Sequence, residues 1–278
     1  MIAHSGDQTS ERPYEQIAFQ FSHHTLQQDG SIAHKDQFIH LERGSFPNFH
    51  FLRALKISLQ SDSGTIFMYA PHENTVLCQI FDQLSESTEP DREELQTFIR
   101  TITNSKEDSS RGEWSGPRSM VDMCDLVKKY FYHPLTGGSN SIKKVLPAVL
   151  SESKLLKTKY SKPIYGNEIK SNNFSNQVWL QLDQSGAVID PYKQLPPVFD
   201  GISEEKLNNF LFDGDDLRDG GSALMAFAKM QFTQMTDEER SRIRAALLRY
   251  CELDTLAMVM IYEYWMDATG IGRAKLAA

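Results

Sequence analysis

Apolar positions change period several times along the chain, and each change marks an element. The run Gln16-Ile17-Ala18-Phe19-Gln20-Phe21-Ser22-His23-His24 alternates in part and ends near Asp29-Gly30, after which Ala33 to Leu41 returns, so a β-hairpin is predicted. Phe46 to Leu59 carries Phe49, Leu52, Leu55, Ile57 and Leu59 at roughly helical spacing, and Ser63-Gly64 separates it from a strand-like run, Thr65 to Tyr69. His72 to Leu84 reads as a helix with Leu77, Ile80, Phe81 and Leu84 on one face. Further helices are expected around Glu93 to Ile102, over Met120 to Tyr132, and from Gly137-Gly138-Ser139-Asn140 through Leu150, with an exposed polar loop at Asn104 to Gly116.

Val178 to Leu182 and Ala187 to Ile189, joined by Asp183-Gln184-Ser185-Gly186, suggest a second hairpin. From Ser222 the pattern is helical. Thr236 followed by Glu239 forms a capping box, which starts a helix that runs at least through Tyr250. Early strands with helices interspersed and late give an α/β class with a mixed sheet. The expectation is a single domain over residues 1–278 with an inserted hairpin region at about 160–215.

With 278 residues, 40% hydrophobic and 10% aromatic, the chain can bury a substantial core, which argues against global disorder. A formal charge of −8 speaks against binding nucleic acid by overall charge, but an acidic site that works through divalent metal also lowers the balance, so charge does not decide. Cys78, Cys124 and Cys251 are isolated, without CxxC or Cys/His spacing, so neither a zinc site nor a disulfide framework is expected and a reducing cytoplasm fits. Met1 to Arg12 is polar, and the longest apolar run, Leu256 to Met266, is broken by Glu263, so a soluble cytoplasmic protein with no membrane partner is expected.

The candidate chemistry lies in Tyr250-Cys251-Glu252-Leu253-Asp254-Thr255. Tyr250 and Asp254 share a helix face with Leu247, Ala257, Met258 and Ile261, and a carboxylate in an apolar stripe is costly unless paired or bound to metal. An Asp satisfied by a local hydrogen bond at the helix boundary is the competing reading. Glu73 follows the strand Thr65 to Tyr69 and is placed in the first turn of a helix, facing the sheet; the helix dipole alone also favours an acid there. Asp125 has the same two readings. Ser139 is expected to cap a helix that brings Ser141, Lys143 and Lys144 to a phosphate, or simply into water. Gly220-Gly221-Ser222 reads as a helix start, and His23-His24 as a strand end, one side chain in and one out.

Tyr-x-x-x-Asp on a late helix resembles the third motif of DnaQ-like exonucleases, and an acid just after a sheet strand resembles their second. The segments Arg12-Pro13-Tyr14, Phe19 to His24, Tyr69-Ala70-Pro71-His72-Glu73, Asp125-Leu126, Gly138 to Pro147 and Tyr250 to Met258 resemble the bacterial domain-of-unknown-function 2779 family. That family is similar to DnaQ-like nucleases. The resemblance implies a ribonuclease-H-like mixed sheet flanked by helices and a metal-dependent 3′-to-5′ exonuclease acting on single-stranded DNA or RNA ends. It also implies that the Asp-Phe-Glu strand of the first motif is missing, since Asp7 lies in a loop-like stretch; either the natural protein is longer at its N-terminus, or this chain is a fragment or has a misplaced start, and this chain alone is expected to be inactive.

Phosphodiester cleavage builds charge on an anion, which two ions about 4 Å apart can stabilise, and hard oxygen ligands suit Mg²⁺ or Mn²⁺. By resemblance, Asp254 and Glu73 ligate metal and Tyr250 orients the attacking water. The alternative is a non-catalytic interaction module that keeps the nuclease fold.

Overall fold

A computed structural model of the chain describes residues 16–107, 110–196 and 221–270. They divide into two compact units: one takes the residues up to Phe21 and Phe38–Lys129, the other takes Ser22–Gln37 and those from Tyr130 onward. Arg12-Pro13-Tyr14, Asp7, Gly220 and the later part of the expected 160–215 insertion lie outside the described residues.

The described strands pair in twos. β1 (Gln20–Leu26) joins β2 (Ile32–Ile39) as the expected hairpin, closed by a turn in which Gln27 N–H donates to Ser31 O. β3 (Phe67–Met68) runs parallel to β6 (Val121–Asp122), and β4 (Asn104–Ser105) runs antiparallel to β5 (Trp114–Ser115). The chain is therefore α/β, with three small sheets among the described residues where one mixed sheet was expected. The expected strand Thr65 to Tyr69 is paired over only two of its residues.

In the first unit, α1 (Asn48–Gln60), α2 (His72–Glu86) and α3 (Arg92–Ile102) close a core around Leu52, Leu77, Ile80, Leu84, Leu95 and Ile99. Each such buried side chain contributes roughly 1.5–3 kcal/mol. Asn48 is also fully buried and fully used: its Oδ1 accepts from Ala18 N–H, and its Nδ2 donates to Gln16 O and Gln83 Oε1. Within the Asn104 to Gly116 stretch most described residues are exposed, as expected, while Trp114 packs on Phe81 and donates its indole N–H to Thr103.

Met120 to Tyr132 is not one helix. Val121 and Asp122 pair with β3 first, and α4 (Met123–Tyr130) starts only afterwards. Asp122 explains the break. Its Oδ1 accepts from Cys124 N–H at 2.8 Å, in the manner of a helix cap, and from Ala70 N–H at 2.9 Å. Ala70 has φ 75°, a conformation that side chains other than glycine rarely adopt.

In the second unit, α5 (Ile142–Glu152), α6 (Lys154–Tyr160) and α8 (Asp237–Thr269) pack together, with α7 (Gly221–Phe232) against α8. The capping box of Thr236 and Glu239 is present. The second hairpin is reduced to its turn: Asp183 N–H donates to Ala187 O, Ile189 N–H donates to Gln181 O, and one bridge joins Leu182 to Val188. Trp179 is buried against Tyr165 and Phe174, so packing rather than a ladder holds that segment. Among the described residues no helix is long and apolar enough to cross a membrane.

Candidate functional site

α8 carries Tyr250 and Asp254 one turn apart. Asp190 opens a short turn of 3₁₀ helix, Pro191–Gln194, by accepting from Tyr192 N–H, and this turn aims the Tyr192 ring at α8. Tyr192 O–H donates to Asp254 Oδ1 at 2.7 Å, and the Tyr192 and Tyr250 ring centres are 5.7 Å apart. Lys143, from the first turn of α5, completes the group. Its Nζ stands 5.2 Å from the Tyr250 ring centre and 5.5 Å from that of Tyr192, within cation–π range.

Two segments that the sequence offers separately, the Ser141 to Lys144 stretch and the Tyr250/Asp254 face, thus meet in one place. Tyr192 and Asp190, which complete it, carry no local signal. Burial raises the Asp190 carboxyl above its ordinary range; the amide of Tyr192 and the ammonium groups of Lys193, Lys143 and Lys144 act against that shift. The cluster joins positive charge, aromatic faces and a half-buried carboxylate held by a phenol.

The remaining candidates are placed differently. The cap position of α5 is Ser141, not Ser139, because the two preceding glycines, at φ 60° and 82°, delay the helix; Ser139 Oγ instead accepts from Ser141 N–H at 3.2 Å. Lys144 is exposed. Glu73 lies in the first turn of α2, but its side chain is exposed rather than turned inward, since the buried face of that helix begins only at Val76. Asp125 is also exposed, in the first turn of α4, with Lys128 Nζ 3.5 Å away. Among the described residues no group of three or more His, Cys, Asp or Glu side chains is arranged to hold a metal ion. Cys78, Cys124 and Cys251 are not joined in disulfides.

A second polar cluster was missed from sequence. Glu252 is fully buried, and its Oε1 lies 3.1 Å from Nδ1 of the equally buried His34. Tyr165 O–H and Ser171 O–H donate to the same carboxylate oxygen, and Asn173 Nδ2 donates to the other at 2.6 Å. His34 Nε2 meets Ser22 Oγ at 2.9 Å, and Ser22 meets Thr255 Oγ1 at 2.8 Å. His24 continues the chain, with Nδ1 2.7 Å from Thr255 Oγ1 and Nε2 2.9 Å from the Tyr165 hydroxyl. The pair His23-His24 therefore lies within a strand that continues to Leu26, not at its end.

Burial works to raise the Glu252 carboxyl, but hydrogen bonds from His34, Ser171 and Tyr165 outweigh it and hold the group at about 2. His24 is pushed down to about 3, by burial first and by the neighbouring His34 second. Ser22, His34 and Glu252 have the order of a nucleophile, base and acid. Ser22 is nonetheless tied to Thr255, and His34 has no exposed surface, which makes the chain a structural brace. Gly166 shapes the loop that supplies Tyr165 and Ser171: at φ 78° it turns where a Cβ would strike the Phe174 carbonyl. The signal that could have found Glu252 is a carboxylate flanked by Leu247, Leu248, Leu253 and Leu256.

Searches of the curated proteins and of the solved structures give no match to the chain. Residues 7–141 match the family described as domain of unknown function DUF2779; the match supports that resemblance over this stretch, and the Tyr250–Asp254 segment lies beyond it.

Proposed function

We propose that the chain is a nucleic-acid-processing domain of the DnaQ-like, 3′-to-5′ exonuclease kind, hydrolysing phosphodiester bonds at single-stranded ends with Mg²⁺ or Mn²⁺. One observation carries the reading: Lys143 of α5 stands over the Tyr250 ring, and Tyr250 lies one turn from Asp254 on α8. An ammonium group beside a carboxylate and two phenol rings suits a phosphate that must be held close to a metal-binding acid. Asp254 is the residue that would ligate the ion, and Tyr250 the one that would orient water. The described residues bring no group of three ligands together, so they do not by themselves fit a two-ion centre.

The competing reading is a nucleic-acid or protein interaction module that keeps the fold without the chemistry. The test is degradation of a 5′-labelled single-stranded oligonucleotide in Mn²⁺. Stepwise shortening from the 3′ end, abolished by Asp254→Asn, supports the exonuclease. Degradation that survives Asp254→Asn overturns this site, and binding without degradation in any divalent ion leaves the module.

A further inference from the structure

α5 begins against the usual electrostatics of a helix. Its first turn holds Lys143 and Lys144 and no acid, although the N-terminal end of a helix is positive and favours carboxylates there. A third ammonium group joins them from the 3₁₀ turn Pro191–Gln194, because Lys143, Lys144 and Lys193 all stand within electrostatic reach of Asp190. Lys143 is held beside two rings, its Nζ 5.2 Å from the Tyr250 centre and 5.5 Å from that of Tyr192. Lys144 and Lys193 are exposed. The carboxylate among the three, Asp190, is half-buried and accepts Tyr192 N–H at Oδ1. Positive charge gathered at the positive end of a helix repels itself, and an incoming anion removes that cost.

We propose that Lys143, Lys144 and Lys193 form a binding site for the dianion of a phosphomonoester, with Asp190 as the internal counter-ion that the phosphate meets on arrival. The site shares Lys143 with the reading above and goes beyond it, since binding here requires neither hydrolysis nor a metal ion. Lysine is a point charge suited to phosphate. A phosphomonoester carries about −1.5 to −2 charges at pH 7, against a single charge on each phosphate inside a strand, so three ammonium groups favour it. The base is not read. Tyr192 and Tyr250 are each 5% exposed, which leaves no open ring face on which a base could stack. The ligand is therefore a terminal phosphate recognised by charge, on a free mononucleotide or at the end of a strand.

The test is isothermal titration calorimetry of the whole chain in EDTA at low salt. Thymidine 5′-monophosphate and inorganic phosphate should bind, and thymidine should not. Lys144→Gln with Lys193→Gln, both at exposed positions, should weaken that binding about tenfold. Asp190→Asn keeps an oxygen for Tyr192 N–H and removes the charge, so it should tighten binding about threefold. No binding by the parent chain, unchanged binding by the lysine pair, or weaker binding by an Asp190→Asn chain that melts as the parent does overturns the site. Should Asp190→Asn fail to fold, the lysine pair decides alone. A 5′-phosphorylated oligothymidylate that outbinds its 5′-hydroxyl twin, with the advantage lost in the lysine pair, places the phosphate on a strand end. Equal binding of the two oligomers assigns the site to the free mononucleotide. Phosphate binding without degradation in Mn²⁺ sinks the exonuclease and keeps this site. Asp254-dependent degradation by a chain that binds no phosphate in EDTA does the reverse.

Discussion

His34 Nδ1 and Glu252 Oε1 lie 3.1 Å apart, and neither side chain touches solvent. Removing one partner of such a pair strands the other. Glu252→Gln turns an amide N–H₂ toward groups that already donate, so it should destabilise the chain by roughly 3–5 kcal/mol. Urea unfolding checks this, and a loss below about 1 kcal/mol would refute the brace.

Acid should weaken the protein through the same network. His24 is held at about 3, below its ordinary 6.5, so under pH 6.5 the unfolded chain binds a proton that the folded chain refuses. Its contribution is complete above pH 6.5 and is lost as pH falls toward about 3. Glu252, held at about 2 against an ordinary 4.5, contributes fully above 4.5 and loses that contribution toward about 2. The melting temperature should therefore fall from about pH 7 to about pH 4, and His24→Gln should flatten the upper part of that fall. A profile indifferent to His24→Gln between about pH 6.5 and about 5 would speak against the assignment.

Lys143→Met keeps the stem over Tyr250 and removes the charge. Single-strand affinity should drop several-fold at low salt, and the slope of log affinity against log salt should shrink by about one contact. An unchanged slope means that Lys143 does not meet phosphate.

Asp122 serves both Ala70 and α4. Asp122→Ala should cost about 1–2 kcal/mol as a lost cap. Ala70→Gly should be neutral or stabilise by up to about 1 kcal/mol, since glycine accepts φ 75° without strain. Thermal melts of the two variants decide, and a destabilised Ala70→Gly would show that the methyl group matters more than the backbone.

Elements with a strong local period were legible. The helices of Phe46 to Leu59 and His72 to Leu84 came from spacing, and the start of α8 came from Thr236 and Glu239, because these signals lie within a turn or two. Tyr250 and Asp254 share a face for the same reason. The partners of that face were hidden: Tyr192 reaches Asp254 across 62 residues, and Ser22 reaches Thr255 across 233. An acid in an apolar stripe needs a partner, and this holds with more force for Glu252 than for Asp254, since Glu252 is the more deeply buried of the two. Asp122 was lost for another reason, since Val121-Asp122 followed by Met123-Cys124 reads as helix by periodicity until the pairing with Phe67-Met68 is known.

Within its own unit, the tip of the β1–β2 hairpin is joined to α8 by donors and acceptors of fixed position. Oily surfaces slide over one another at small cost. This contact does not, because sliding β2 by one residue would bring Ala33 or Lys35 to the place of His34 and leave Glu252 facing a methyl group or a misplaced ammonium. Every near-miss alignment of the hairpin is therefore penalised by a buried charge without its proper donor. The cluster works as a proofreader of strand register, letting the ribbon settle against the helix in one alignment only.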